Sequence, residues 1–216
     1  MTHLWSLHSF RYIVAGAALS AFAGYAGLAF NPLFLARTHH LTPVQIGTLL
    51  ALLTGVFGFA GTLSAGLIAD RFGKRDSRWG MYVSALGAFL AVPFFPFFYL
   101  APGIGLTVAA AALPSALSTT YMGPSFAALQ GLSPLRIRAK AQAIFLLLVN
   151  LIGLGLGPQW VGIVSDLLRP AFGSDSLRYA LLTTVVPLIA GGLCFLQASR
   201  TVRQDTARIT AAIGAP

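Results

Sequence analysis

Residues 66–75 read GLIADRFGKR, where an apolar stretch punctuated by glycine ends abruptly in charge. Asp70, Arg71, Lys74, Arg75, Asp76 and Arg78 place six of the chain's 14 basic and 5 acidic residues within one short string. Residues 43–69 before it and 79–99 after it carry no charge at all. Each flank is long enough to cross the hydrocarbon core of a bilayer, which takes about 20 apolar residues as a helix. The string therefore reads as a turn between two membrane-spanning helices.

Composition agrees with that reading. The chain has 216 residues, 56% hydrophobic and 9% charged, and its mean hydropathy is +0.79. Soluble domains carry about 25% charged residues, so an integral membrane protein is expected, with the lipid bilayer as its first partner. The net charge of +9 would suggest nucleic acid in a soluble chain, but here topology explains it and no nucleic-acid partner is expected. Cys194 is the one cysteine, so no intramolecular disulfide can form. The apolar run from Tyr12 is too long for a cleaved signal peptide and no cleavage site follows it.

Working outward from the charged turn gives six spans, at 10–36, 43–69, 79–99, 103–129, 139–167 and 179–198. All must be helical, because unpaired backbone cannot face lipid. Residues 1–199 form this transmembrane unit, and residues 200–216 are expected to be a cytoplasmic tail. Arg11, Arg71, Lys74, Arg75, Arg78, Arg136, Arg138, Lys140, Arg200, Arg203 and Arg208 fall on one side of the membrane, against Arg37, Arg169 and Arg178 on the other. Basic residues gather in cytoplasmic loops, so both termini and the charged turn are expected in the cytoplasm. Trp5 and Trp79 would then sit at the inner interface and Tyr99 at the outer one.

An internal repeat divides the six. Gly61, Gly66 and Asp70 close the second span, and Gly157, Gly162 and Asp166 close the fifth, 96 residues further on in each case. The same shift carries the first two span starts onto the fourth and fifth. Three spans is an odd number, so the two units are expected to lie inverted in the membrane. The fold class is thus all-α, six transmembrane helices as two inverted three-helix repeats.

Gly66, Asp70, Arg71, Gly73, Lys74 and Arg75 match G-x-x-x-D-R-x-G-K/R-K/R, which resembles the signature loop of the major facilitator superfamily. GPSFAALQGLSPLRIRAKAQAIF at 123–145, NLIGLGLGP at 150–158 and GPQWVGIVSD at 157–166 resemble the C-terminal half of a spinster-like member. The resemblance implies half of a major facilitator fold, since members have twelve spans in two six-helix halves. It implies secondary transport of a small organic or amphipathic solute by alternating access. The missing N-terminal six-helix half, of which this chain would be the companion fragment, or a second copy, would complete the carrier. A non-transporting half-transporter subunit or regulator is the alternative. By the same resemblance Gly66, Asp70, Arg71, Gly73, Lys74 and Arg75 form a gating loop, in which Asp70 latches the cytoplasmic side closed. A bacterial inner membrane is the expected location.

Polar side chains at mid-membrane depth are costly and mark functional candidates. Ser115, Ser118, Thr119, Thr120 and Tyr121 form the densest such cluster, in the fourth span. Tyr25, Asn31, Thr54, Ser118, Thr119, Tyr121 and Asn150 are the substrate-pathway candidates, on spans that border the central cavity in the resembled family. Serine and threonine hydroxyls can instead bond the backbone of their own helix. Asn31–Pro32, Gly123–Pro124 and Gly157–Pro158 are expected to kink or end helices. Glutamate is absent, and no acidic residue sits mid-membrane, so any coupling acid is expected elsewhere.

Nothing calls for a cofactor, metal or catalytic residue. His39 and His40 are adjacent, with no carboxylate or cysteine cluster around them. GLSP at 131–134 is a poor match to a serine-protease G-x-S-G with a membrane histidine, and HExxH is missing. The chain does not read as an enzyme.

Overall fold

The computed structural model describes residues 5–73, 76, 78–134 and 137–214, and their side chains except at 208 and 210–214. Lys74, Arg75 and Arg136 lie outside the described residues. Among those described there is no strand. The helices are α1 (His8–His39), α2 (Pro43–Gly73), α3 (Trp79–Leu100), α4 (Ile104–Gly131), α5 (Arg138–Phe172), α6 (Ser176–Leu182) and α7 (Val185–Gly214).

Five helical stretches among the described residues are long and apolar enough to cross a membrane, and the last, Arg138–Ala207, runs for 70 residues. A straight helix of that length would measure roughly 105 Å, several times a bilayer core. It folds back instead. Gly173 has φ of 54°, a left-handed conformation that costs glycine nothing, and a 3-10 turn over Gly173–Asp175 leads into α6. α6 packs back along α5, so this stretch supplies two limbs and the bundle has six.

Several helices are interrupted, each where the chemistry is legible. Four residues of turn, 118–121, divide α4 after Pro114. There Ser118 Oγ donates to the Ser115 carbonyl and Thr120 Oγ1 to that of Leu117. These hydroxyls compete with the helical ladder for its own carbonyls. Thr183 and Thr184 do the same between α6 and α7, and Pro187 has no N–H to offer the preceding turn. Pro93 marks a third break, inside α3. By contrast α1 runs unbroken through Pro32 and α5 through Pro158, so neither proline ends its helix. In α2 the turn from Leu53 to Gly58 is π-helical. α2 itself starts on a capping box, in which Thr42 Oγ1 accepts from Gln45 N–H and Gln45 Oε1 accepts from Thr42 N–H.

α1 is the central element, packed between α5 and α7, while α7 also covers α3 and α2 lies against α4. The repeat glycines sit at two equivalent crossings. A Cβ on Gly61 would overlap the Ala116 backbone of α4, and one on Gly157 would lie 2.5 Å from the Phe22 carbonyl oxygen of α1. Second span on fourth and fifth span on first are exchanged by the inverted repeat. The other glycine of each set is less confined: a Cβ on Gly66 meets nothing within 4 Å, and one on Gly162 would make an ordinary contact with the Phe30 ring at 3.8 Å.

α7 does not stop near residue 198 but continues to Gly214. Val202, Asp205 and Ile209 share one helical face and are buried, at 1%, 4% and 5% exposure. The Asp205 carboxylate accepts from Ser9 N–H at 3.1 Å and Ser9 Oγ at 2.6 Å. Ser9 is in the first turn of α1, where free N–H groups and the helix dipole favour a negative charge. The polarity of residues 200–216 conceals this seam, because its buried positions recur only every three or four residues.

Tyr99 is turned into the bundle. Its ring is 1% exposed, edge-on to Phe34, and its hydroxyl donates to Asn31 Oδ1 at 3.0 Å. A buried phenol is satisfied when a partner accepts its proton. Trp79 remains exposed and stacks on Phe72.

Candidate functional site

A cavity of about 330 Å³ lies among α1, α2, α3 and α4, around the middle of α1. It falls within the size range of small-molecule sites. The flexible apolar side chains Leu28, Leu50, Leu53 and Met122 line it with the aromatic rings of Phe95, Phe98 and Tyr99. Hydroxyls and one amide supply its polar atoms, and no charged side chain lines it.

Six of the seven pathway candidates meet here: Tyr25, Asn31, Thr54, Ser118, Thr119 and Tyr121. Asn150 does not line the cavity, yet it is tied to it. Tyr25 Oη donates to Asn150 Oδ1 at 2.8 Å, and Asn150 Nδ2 donates to the Leu146 carbonyl at 2.8 Å. That pair fastens α1 to α5 at the cavity's edge. Tyr99 and Asn31, which both line the cavity, fasten α3 to α1.

Thr119 binds α4 to the π-helical turn of α2. Its Oγ1 donates to the Gly58 carbonyl at 3.3 Å and accepts from Thr62 Oγ1 at 2.8 Å. Thr54, inside the same turn, faces the cavity. A π-helical turn adds a residue to the helix and is frequent at functional sites. No residue type in LTGVFG announces it, which is why the sequence alone leaves it unseen. Ser115 and Ser118 return their protons to the Ala111 and Ser115 carbonyls of α4, so they offer the cavity lone pairs.

Tyr99, Phe98, Phe95 and Ser20 also line the cavity and were not among the candidates. Ser20 sits in an alanine-rich run with nothing to single it out.

The charged turn lies apart from the cavity. Asp70 and Arg71 are exposed at the end of α2, and among the described residues Asp70 has no ion-pair partner. Gly73 is not left-handed, since among the described residues Gly173 is the glycine with positive φ. Lys74 and Arg75 fall outside the described residues.

His39 meets Thr107 of α4 through its Nε2 at 3.1 Å, and among the described residues no group of three or more metal-ligating side chains gathers.

No family model matches the chain. Over 198 residues it is 35% identical to an MFS-type efflux pump of Mycolicibacterium smegmatis, an alignment covering 91% of this chain and 46% of the pump. Its fold matches two solved structures of a bacterial homolog to the human lysosomal transporter Spinster. The inward-facing and occupied form superposes with a TM-score of 0.78 at 23% identity, over 94% of this chain and 51% of the other. The inward-facing and unoccupied form gives a TM-score of 0.79 at 23% identity, over 93% and 49%. The chain thus spans about half the length of the relatives it matches, and it is an integral membrane protein with half of their fold.

Proposed function

We propose that this chain is one six-helix half of a major facilitator superfamily secondary transporter, moving a small organic or amphipathic solute by alternating access. The observation that carries the reading is the uncharged cavity of about 330 Å³, lined by aromatic rings and hydroxyls, in a chain related to half of an efflux pump. Aromatic and apolar walls with a few convergent polar groups suit an organic solute. The relatives are carriers, and no enzymatic role is proposed.

A second six-helix unit completes the pathway, either a separate N-terminal half or a second copy of this chain. Asymmetry of Lys and Arg supports a bacterial inner-membrane orientation with both ends of the chain in the cytoplasm. Tyr25, Asn31, Thr54, Ser118, Thr119, Tyr121 and Asn150 belong to the solute path. Gly66, Asp70, Arg71, Gly73, Lys74 and Arg75 act as the gate. Exposure of Asp70 and Arg71 leaves both free to meet an opposing helix end, whose N–H groups favour an anion.

Transport of a neutral, poorly membrane-permeant aromatic glycoside, 4-methylumbelliferyl glucoside, by vesicles holding this chain, alone and with a six-helix N-terminal half of the related pump, tests the proposal. Activity with the second half and none in empty vesicles is the expected result. No movement of this uncharged aromatic solute in either arrangement would overturn the reading of the cavity as its path. Asp70→Asn should lower the rate at least tenfold while membrane insertion stays normal, and an unchanged rate would remove Asp70 from the gate.

A further inference from the structure

Most polar side chains lining the cavity have already placed their protons. Tyr25 Oη donates to Asn150 and Tyr99 Oη to Asn31, Ser115 and Ser118 donate to carbonyls of α4, and Thr119 to the Gly58 carbonyl. Asn31 differs. Its Nδ2 carries two N–H donors, has no hydrogen-bond partner among the described residues and, unlike Ser20 Oγ, is not closed off from contact. Asn150 shows the usual way out: its Nδ2 donates to the Leu146 carbonyl four residues back, at 2.8 Å. Asn31 makes no such bond.

Tyr99 accounts for the difference. Its phenol is 1% exposed, and Asn31 is its one hydrogen-bond partner among the described residues. A buried phenol must give its proton to an acceptor, so Asn31 Oδ1 takes it and the amide is fixed with Nδ2 left over. A Cβ on Gly27 would lie 3.3 Å from that Nδ2 and 3.8 Å from Tyr99 Oη. The amide therefore rests against a residue that lines the cavity, as Asn31 and Tyr99 themselves do. The rings of Phe98 and Phe95 stand 4.6 and 5.9 Å from that of Tyr99. An oriented amide donor thus meets a wall of aromatic rings, with no charged side chain in the lining.

We infer that Asn31 Nδ2 is the donor that recognises the solute, that the solute is neutral and carries an oxygen acceptor (a carbonyl, ester or ether) on an aromatic or apolar body, and that Tyr99 is the positioning residue that holds the amide. An amide donor at an apolar wall is unfavourable until an acceptor meets it. A carboxylate could accept the same bond, but its charge would be left without a counter-charge in this lining. The inference rests on the cavity being a solute site.

The test is equilibrium dialysis of the full chain in lipid nanodiscs against 2-acetylnaphthalene and 2-isopropenylnaphthalene, after subtracting partition into empty nanodiscs. The two probes are nearly isosteric, a C=O in one replacing a C=CH2 in the other. Asn31→Leu should weaken the ketone about tenfold, the scale of one hydrogen bond to a group otherwise left unpaired. It should leave the hydrocarbon within about twofold. Asn31→Leu also strands the Tyr99 hydroxyl, so its melting temperature should fall. Adding Tyr99→Phe removes both partners and should restore the melting temperature while the ketone-selective loss persists. Tyr99→Phe alone should weaken the ketone about threefold, and full ketone affinity in that variant would remove Tyr99 from its positioning role. Equal effects of Asn31→Leu on both probes, or none on the ketone, would overturn the inference and leave the cavity reading standing. Tighter binding of 2-naphthoate than of the ketone would overturn the neutral class. Failure of both neutral probes to bind the unmodified chain would overturn the inference and the cavity reading together.

Discussion

At the scale of single residues, the cavity depends on a few hydrogen bonds that tie helices across it. Tyr25→Phe removes the proton given to Asn150 and should cost about 1 kcal/mol of stability, as intramolecular hydrogen bonds do. Asn150→Leu should cost a similar amount, and the double variant less than the two together, because both break one contact. Thermal melts of the four proteins in detergent measure this, and strict additivity would show that the pair is not coupled. Mid-span tyrosine, asparagine and threonine were readable from the sequence because burying such groups in lipid demands a partner. Tyr99 was not, because a tyrosine near a span end is satisfied equally well by an interface or by Asn31. Ser20 escaped notice for a plainer reason: serine is inexpensive in a membrane helix, and only the shape around it reveals an unpaired hydroxyl.

At the scale of elements, glycine spacing carried more information than hydropathy. The paired motifs ending in Asp70 and Asp166 identified the inverted repeat, and Gly61 and Gly157 sit at its two equivalent crossings. Gly61→Val and Gly157→Val should each destabilise by about 1–3 kcal/mol, the scale of overpacking a tight interior, read as a lower melting temperature or lost monodispersity. Gly66→Ala should leave stability unchanged, as its Cβ enters open space. A drop in transport with that variant would show that a second unit closes over this position. Span existence was legible because about 20 uncharged residues have few alternatives, whereas the interruptions were less so. Pro32 and Pro158 were expected to kink or end helices and end neither, while the turns at 118–121 and 183–184 come from clustered hydroxyls that withdraw carbonyls from the ladder. The π-helical turn at Leu53–Gly58 is held partly from outside its own helix, by Thr119. Thr119→Val should therefore cost about 1 kcal/mol by thermal melt and loosen α2 from α4 beside the cavity.

At the scale of the whole molecule, the last helix does more than end the chain. Removing residues after Arg200 would expose the side of α1 that Val202, Asp205 and Ile209 cover. Asp205→Ala should lower stability by about 1–3 kcal/mol, the cost of leaving a buried donor unpaired, and truncation after Arg200 by more. Melting temperatures in detergent check both, and an unaltered truncated protein would show that this seam is dispensable. The seam also has a topological consequence. Ser9 and Asp205 are 196 positions apart in the chain and hydrogen-bonded in space, so the start of the first helix and the later part of the last lie side by side. A loop joining Ser9 to Asp205 would be short. A further unit fused before Ser9 or after the final helix would leave from neighbouring points on the same rim. Either gene order could then deliver the same assembly.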